Sequence, residues 1–426
     1  MPPCPLRPLP SDRRTRPCHS ARRPAPPGGA EHPPDRPPGH PEGGTAENGA
    51  PPRPAAPPGY GGRADSLTAL RWFAALGVFG FHTASDLAPL PVLAPLMRIG
   101  YEGVPFFFVL SGFVLTWSAR PGDTVRNFYV RRFARVWPLL AVTTLPALAI
   151  VHYWNRAAFS PGGTVETLTL TQVWTTHHFY TANIVTWTLS CEAFFYLSHP
   201  LLIRLLSRLR GRSLAATAAA MVLVTLLTRT WPGSGAFPFE AVRLTYASPL
   251  ALTPMFVVGM CAALALRRGR RPVLGVAPAI GLLAVIVALR WRSVFQPGLI
   301  PGLPPGADYF DAVVVPVFAV LIAAAALRDV ERGGGLLVHP ALVRLGERSF
   351  AFYLVHSMVL TAFRHFGMAA RLHTAGGKAV MLVLVLSAAT SLAAVLHVAV
   401  ERPAERHIRR RLQRLPAGGR RALQDR

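Results

Sequence analysis

Apolar residues along this chain fall into blocks about as long as a bilayer is thick, separated by short stretches of arginine, proline and glycine. Ten such blocks stand out, at 67–85, 101–119, 137–154, 184–203, 213–230, 247–266, 273–290, 309–327, 347–366 and 378–399. A helix rises about 1.5 Å per residue, so each block crosses most or all of a hydrocarbon layer about 30 Å thick. The pattern predicts an all-α polytopic membrane protein with about ten transmembrane helices. The block at 184–203 is the least regular, because WTLSCEAFFYLSHP mixes polar with apolar residues, and the block at 273–290 is short.

The connections between blocks alternate in charge. Arg120, Arg126, Arg131, Arg132 and Arg135 follow the second block, and Arg204, Arg208, Arg210 and Arg212 follow the fourth. RRGRR at 267–271 follows the sixth, and Arg402, Arg406, Arg409, Arg410 and Arg411 follow the tenth. The stretches 86–100 and 155–186 are sparse in cations. Cytoplasmic loops carry the excess of arginine and lysine, so both termini are expected in the cytoplasm of a multi-pass cell-membrane protein, and the span count is expected to be even. The same rule accounts for most of the net charge of +25. The bilayer is therefore the expected partner of the charge, and no nucleic acid is expected, since no nucleic-acid motif accompanies the arginines. Charged residues make up 15% of the chain, well below the roughly 25% of soluble domains.

Outside the blocks, residues 1–65 read as a disordered Pro/Gly/Arg-rich cytoplasmic tail, 66–403 as the membrane domain and 404–426 as a basic cytoplasmic tail. No apolar core precedes Leu67, so no cleavable signal peptide is expected. Cys4, Cys18, Cys191 and Cys261 show no metal-ligand spacing, and no metal site is expected. No internal repeat marks the inverted halves of a secondary transporter.

Ionisable residues inside apolar blocks are costly, which makes them functional candidates. The first block, SLTALRWFAALGVFGFHTA, carries Arg71 and His82. Eleven residues are almost three helical turns, so the two side chains lie within about 20° of one face and about 16 Å apart. Glu192 lies in the outer part of the fourth block, at a depth expected to match His82, where it forms either an acid/base pair with the imidazole or a structural partner for an arginine or a helix cap. Arg132 and Arg135 share a helical face and suit phosphate binding, though topogenic charge or anionic lipid explains the same run. In GVPFFFVLSGFVL, the small residues Gly103, Ser111 and Gly112 admit either a packed helix or a thin ligand. Tyr353 and His356 lie within one turn in the ninth block, where His356 is a second acid/base candidate or a helix-to-helix hydrogen bonder. The connections 155–183 and 291–308 are either a substrate entrance or ordinary interfacial aromatics and turns.

Taken in order, SLTALRWFAALGVFGFH, GYEGVPFFFVLSGFVLTWS, FYVRRFARVWP, WTLSCEAFFYLSHPLL and SFAFYLVHS resemble the integral-membrane acyltransferase family 3 over residues 66 to 403. The resemblance implies ten membrane helices and transfer of an acyl group, often acetyl, from cytoplasmic acyl-CoA. The acceptor would be a hydroxyl on a carbohydrate, a cell-envelope glycan or a glycosylated small molecule. No tightly bound cofactor is implied; acyl-CoA, such as acetyl-CoA, is the co-substrate. The family's basic residue, ten residues, then histidine matches Arg71 and His82. Its RxxR matches Arg132 and Arg135, and its acidic W-x-L-x-x-E residue matches Glu192. Thr68 stands where an aspartate is often found, and no extracytoplasmic hydrolase domain is expected after the last block. On this reading Arg71, Arg132 and Arg135 hold the CoA phosphates, and the pantetheine arm passes Ser111 and Gly112. His82 then acts as general base, or forms an acyl-histidine, with Glu192 orienting it. The rival is a transporter or flippase of a glycolipid or amphiphile.

Overall fold

Small residues set how the centre of the bundle packs. In the computed structural model, which describes residues 64–87, 90, 92–120, 122–154, 159–175, 177–230, 247–295, 309–331, 333–367 and 374–413, no strand occurs among the described residues. In chain order the helices are α1 (Asp65–Thr83), α2 (Leu93–Arg98), α3 (Gly103–Trp117), α4 (Val125–Ala149), α5 (Pro161–Thr169), α6 (Trp187–Arg208) and α7 (Gly211–Thr230). They continue with α8 (Pro249–Arg267), α9 (Val276–Phe295), α10 (Phe310–Glu331), α11 (Pro340–Glu347), α12 (Ser349–His365), α13 (Ala375–Leu396) and α14 (Arg402–Gln413). The expected tail at 1–63, residues 414–426, Cys4, Cys18 and most of the 291–308 connection lie outside the described residues.

Helices α3 and α8 cross at glycines. A methyl added at Gly112 would collide with the Phe256 carbonyl, and one at Gly259 with the Val109 carbonyl. Without a hydrophobic driving force between helices in lipid, such close backbone contact is what makes them associate. Gly112 therefore faces α8, and the alternative of a ligand passing it is not what the structure shows. Gly259→Ala should force the two helices apart and cost about 1–3 kcal/mol, read as a lower melting temperature in detergent; an unchanged melt would show the crossing to be slack.

Aromatic rings fill the layer beside this crossing. Phe195 of α6 stacks on Phe256 with ring centroids 4.9 Å apart, and Phe108 meets Phe195 edge-on at 5.2 Å. The apolar window of α10 is 83% buried and that of α8 72%, against 11% for α7 and 6% for α9. So α8 and α10 form the centre, while α7 and α9 turn apolar faces outward, as lipid-facing helices do.

Among the described residues, seven helical segments are long and apolar enough to cross a membrane. The ten expected blocks all fall on helices, but α1, α6 and α12 are not among those seven. The physical reason is their polar content: α1 carries Arg71 and His82, α6 carries Glu192 and His199, and the 17-residue α12 carries Tyr353 and His356.

Helix α1 is clamped at both ends. Its N-cap residue Ala64 supplies no side-chain cap. Instead the Ser66 amide and hydroxyl donate to Asp329 of α10 at 2.8 and 2.5 Å, which places a carboxylate against the positive end of the helix dipole. At the other end Arg364 of α12 donates to the His82 carbonyl at 2.9 Å and grips Asp86 at 2.6 Å. Two arginines at the C-terminal end of α8 also cap helices. Arg267 donates to the carbonyls of Thr116 in the last turn of α3 and of Ala119 beyond it, and Arg268 to those of Ser207 and Leu209. Residues 404–413 of the expected basic tail lie in α14. Its Glu405 and Ile408 line a small recess with Arg131, Arg132 and Arg135 of α4.

Candidate functional site

The two ionisable residues of α1 line different cavities, Arg71 one and His82 another. The first, of about 130 Å³, is lined by Arg71, Arg132, Arg135, Glu192 and Tyr196, with Ser111 on the α3 wall. The second, of about 360 Å³, is lined by His82, Asn183, Ser357 and Arg364 among apolar side chains such as Ile184 and Leu360.

The structure thus brings Arg71, Ser111, Arg132, Arg135, Glu192 and Tyr353 to one cavity. Arg132 and Arg135 reach it because α4 starts early. Thr124 caps the helix by accepting from the Asn127 amide at 3.2 Å, and the arginines follow two turns later. Arg132 also stands over the Phe128 ring at 5.7 Å, which fixes the guanidinium plane. Its Nε is buried with no hydrogen-bond partner among the described residues. The nearby counter-charges are Glu192, whose carboxylate accepts from the Tyr196 hydroxyl, and Glu401, within electrostatic reach of Arg71 and Arg135. Glu401 sits in a single π-helical turn, His397–Glu401, between α13 and α14, where His397 Nδ1 meets it at 2.8 Å. Three guanidiniums around Glu192 leave a cavity whose chemistry suits a polyanion.

Glu192 was expected beside His82. It lines the arginine cavity instead, and the ring that meets His82 is His356, with Nε2 3.1 Å from His82 Nδ1. Carbonyl oxygens only accept, so the two backbone contacts settle the tautomers. His82 Nδ1–H donates to the Val78 carbonyl at 3.0 Å, and His356 Nδ1–H to the Phe352 carbonyl at 3.2 Å. His356 Nε2 is then a lone pair facing the His82 Nδ1–H. The remaining lone pair, on His82 Nε2, has no protein partner among the described residues, and His82 lines the second cavity. That is the protonation pattern of an oriented general base.

Between the cavities stands a polar partition. The Tyr353 hydroxyl is 2.9 Å from Thr188 Oγ1, and its ring lies 5.8 Å from that of His356. Asn183 pins the connection before α6 to α12, donating to the Leu354 carbonyl at 2.7 Å and accepting from the Ser357 hydroxyl at 2.8 Å. Of the aromatics in that connection, Tyr180 lines the second cavity, while Trp174 packs on Phe194.

Several of these residues were missed in the sequence. Tyr196 lies four residues after Glu192 on one helix, a spacing that sequence reading can find. Arg364 breaks the pattern of arginine-poor alternate ends, which was also a signal. Asn183, Ser357 and Glu401 carry none, because their roles depend on elements distant in sequence.

A family model described as an acyltransferase domain matches residues 65–399. The acyltransferase MdmB of Streptomyces mycarofaciens is 37% identical over 374 residues, covering 82% of this chain and 93% of the relative. The exopolysaccharide production protein ExoZ of Rhizobium meliloti (strain 1021) is 28% identical, covering 75% of this chain and 93% of its own. Nodulation protein 10 of Rhizobium leguminosarum bv. viciae is 24% identical, covering 61% of this chain and 71% of its own. No solved structure matches the chain. The chain belongs to the integral-membrane acyltransferase family 3 and is a multi-pass membrane acyltransferase.

Proposed function

We propose that this acyltransferase moves an acyl group, acetyl in the simplest case, from cytoplasmic acyl-CoA to a hydroxyl on the far side of the cell membrane. The observation that carries the reading is that two ionisable residues of one helix line two cavities. Arg71, Arg132 and Arg135 line one, and the free lone pair of His82 serves the other. Ten spans with both termini in the cytoplasm put the arginines at the cytoplasmic mouth, consistent with the arginine-rich alternate loops.

In this mechanism the guanidiniums hold the phosphates of CoA, and Glu192 with Tyr196 keeps the guanidiniums apart and aimed. The pantetheine arm runs past Ser111 and displaces the Tyr353–Thr188 contact to bring the thioester to His82. His82 Nε2 takes the proton of the acceptor hydroxyl as its oxygen attacks the thioester carbon. The tetrahedral intermediate collapses, and the thiolate leaves with the proton returned by His82. His356 holds the ring in the required tautomer, the part first given to Glu192. The second cavity, with Asn183, Ser357 and Arg364 set among aliphatic walls, suits an acceptor with a hydroxyl-bearing ring and an apolar body. A relative named for exopolysaccharide production supports the carbohydrate part of this reading.

The test is acyl-CoA-dependent release of free CoA by membranes containing the protein, which a transporter or flippase would not give. Arg132→Ala and Arg135→Ala should each raise KM for acyl-CoA about 10- to 100-fold, the worth of one charge-assisted contact, with kcat little changed. An unchanged KM in both would remove the arginines from the donor site. The acceptor would be identified by mass spectrometry, as the glycan or secreted metabolite that loses an acyl increment when the protein is deleted.

A further inference from the structure

The connection between α4 and α6 carries a second cluster of reactive side chains that the acyl-transfer site does not use. Ser160 Oγ lies 3.0 Å from His178 Nε2, and His178 Nδ1 lies 3.1 Å from Glu166 Oε2. The Thr175 hydroxyl donates to the same Glu166 oxygen at 2.6 Å. That hydrogen bond first, and then His178, hold the Glu166 carboxyl below the usual carboxylate range, so it faces the ring as an anion. A ring nitrogen beside a carboxylate carries its proton, so His178 Nδ1 is the N–H. This leaves Nε2 as the lone pair that accepts from the Ser160 hydroxyl. Nucleophile, base and carboxylate then stand in sequence, Ser160 hydrogen-bonded to His178 and Glu166 in ion-pair contact with the far side of the ring.

From this geometry we infer that Ser160, His178 and Glu166 form a serine-nucleophile site that cleaves small O-acyl esters. A plain helix cap does not explain the cluster. Ser160 is the N-cap of α5 and accepts from the Gly163 amide at 3.1 Å, a contact that needs neither histidine nor carboxylate. The sequence PGG after Ser160 also lets the 178–181 segment close on the helix start, since a methyl at Gly163 would strike Thr181. The side chains of His178 and Glu166 are 30% and 24% exposed, which leaves the cluster open to solvent substrates. The same connection supplies Tyr180 and Asn183 to the cavity beside His82.

In the reaction, Ser160 Oγ attacks the ester carbonyl carbon while its proton passes to His178 Nε2. The Gly162 amide at the start of α5 stabilises the oxyanion. The C–O bond to the alcohol breaks, and the leaving oxygen takes the proton from His178. Water then attacks acyl-Ser160, gives a proton to His178, and releases the carboxylic acid with the serine restored. The sum is ester plus water to acid plus alcohol, with no redox change.

The test uses the full chain purified in detergent and a fluorophosphonate reporter probe. Wild type should be labelled, with peptide mass spectrometry placing the adduct on Ser160. Ser160→Asn, which keeps an N-cap oxygen but no nucleophile, and His178→Gln should each lose at least tenfold of the label. Both should keep acyl transfer and a monodisperse elution profile. No labelling of wild type above a heat-denatured control would overturn the proposal, as would undiminished labelling of Ser160→Asn or of His178→Gln.

Discussion

Replacing His82 with alanine should lower acyl transfer about 10²- to 10⁴-fold, the usual worth of a positioned general base, while KM for acyl-CoA stays near its wild-type value. The split follows from the proposed mechanism, which assigns phosphate binding to Arg71, Arg132 and Arg135 in one cavity and proton transfer to His82 in the other. A hydroxyl is a weak nucleophile at neutral pH, so losing the base removes transition-state stabilisation that donor binding does not replace. The variant should still insert and elute as a single species, because the Arg364 clamp uses the His82 carbonyl rather than its ring. His356→Phe fills the same space without a lone pair for His82 Nδ1–H, and should lower kcat by a smaller factor with KM for acyl-CoA unchanged. Full activity in His82→Ala would discard the mechanism.

The second large effect concerns stability. Arg229 near the end of α7 and Asp311 at the start of α10 form an ion pair at 2.6 Å with both side chains 1% exposed. Tyr101 lies within electrostatic reach of both. Separating such a pair leaves a charge in a region of low dielectric. Asp311→Ala should therefore cost about 3–5 kcal/mol and lower the melting temperature in detergent. The double change Arg229→Met with Asp311→Leu should recover most of that loss, since no buried charge then stands alone. A double variant as unstable as Asp311→Ala would show that packing, not charge, is what the pair provides.

The helices were legible because apolar length is a local property. So was the candidacy of Arg71 and His82, because an ionisable residue in an apolar block is conspicuous wherever its partner is. The partner itself was not legible. Depth along α6 set Glu192 level with His82, but depth does not say which face a side chain takes. Three guanidiniums are also a stronger counter-charge for a carboxylate than one neutral imidazole. His356 was readable as a candidate and not as a partner, since 274 residues separate it from His82. Gly112 shows the same limit. A small residue permits close approach, but only the position of Phe256 shows that a helix makes it.

One consequence of the two clamps on α1 concerns the lipid around the protein. Asp329 holds one end of the helix and Arg364 the other, and both come from helices packed within the bundle. The separation between donor grip and base is therefore a length internal to the protein. In a thinner or thicker bilayer, the hydrophobic mismatch falls on the lipid-facing α7 and α9, which can tilt. In the proposed mechanism, the distance that the donor's arm must span is therefore set by a part of the protein that the membrane does not stretch.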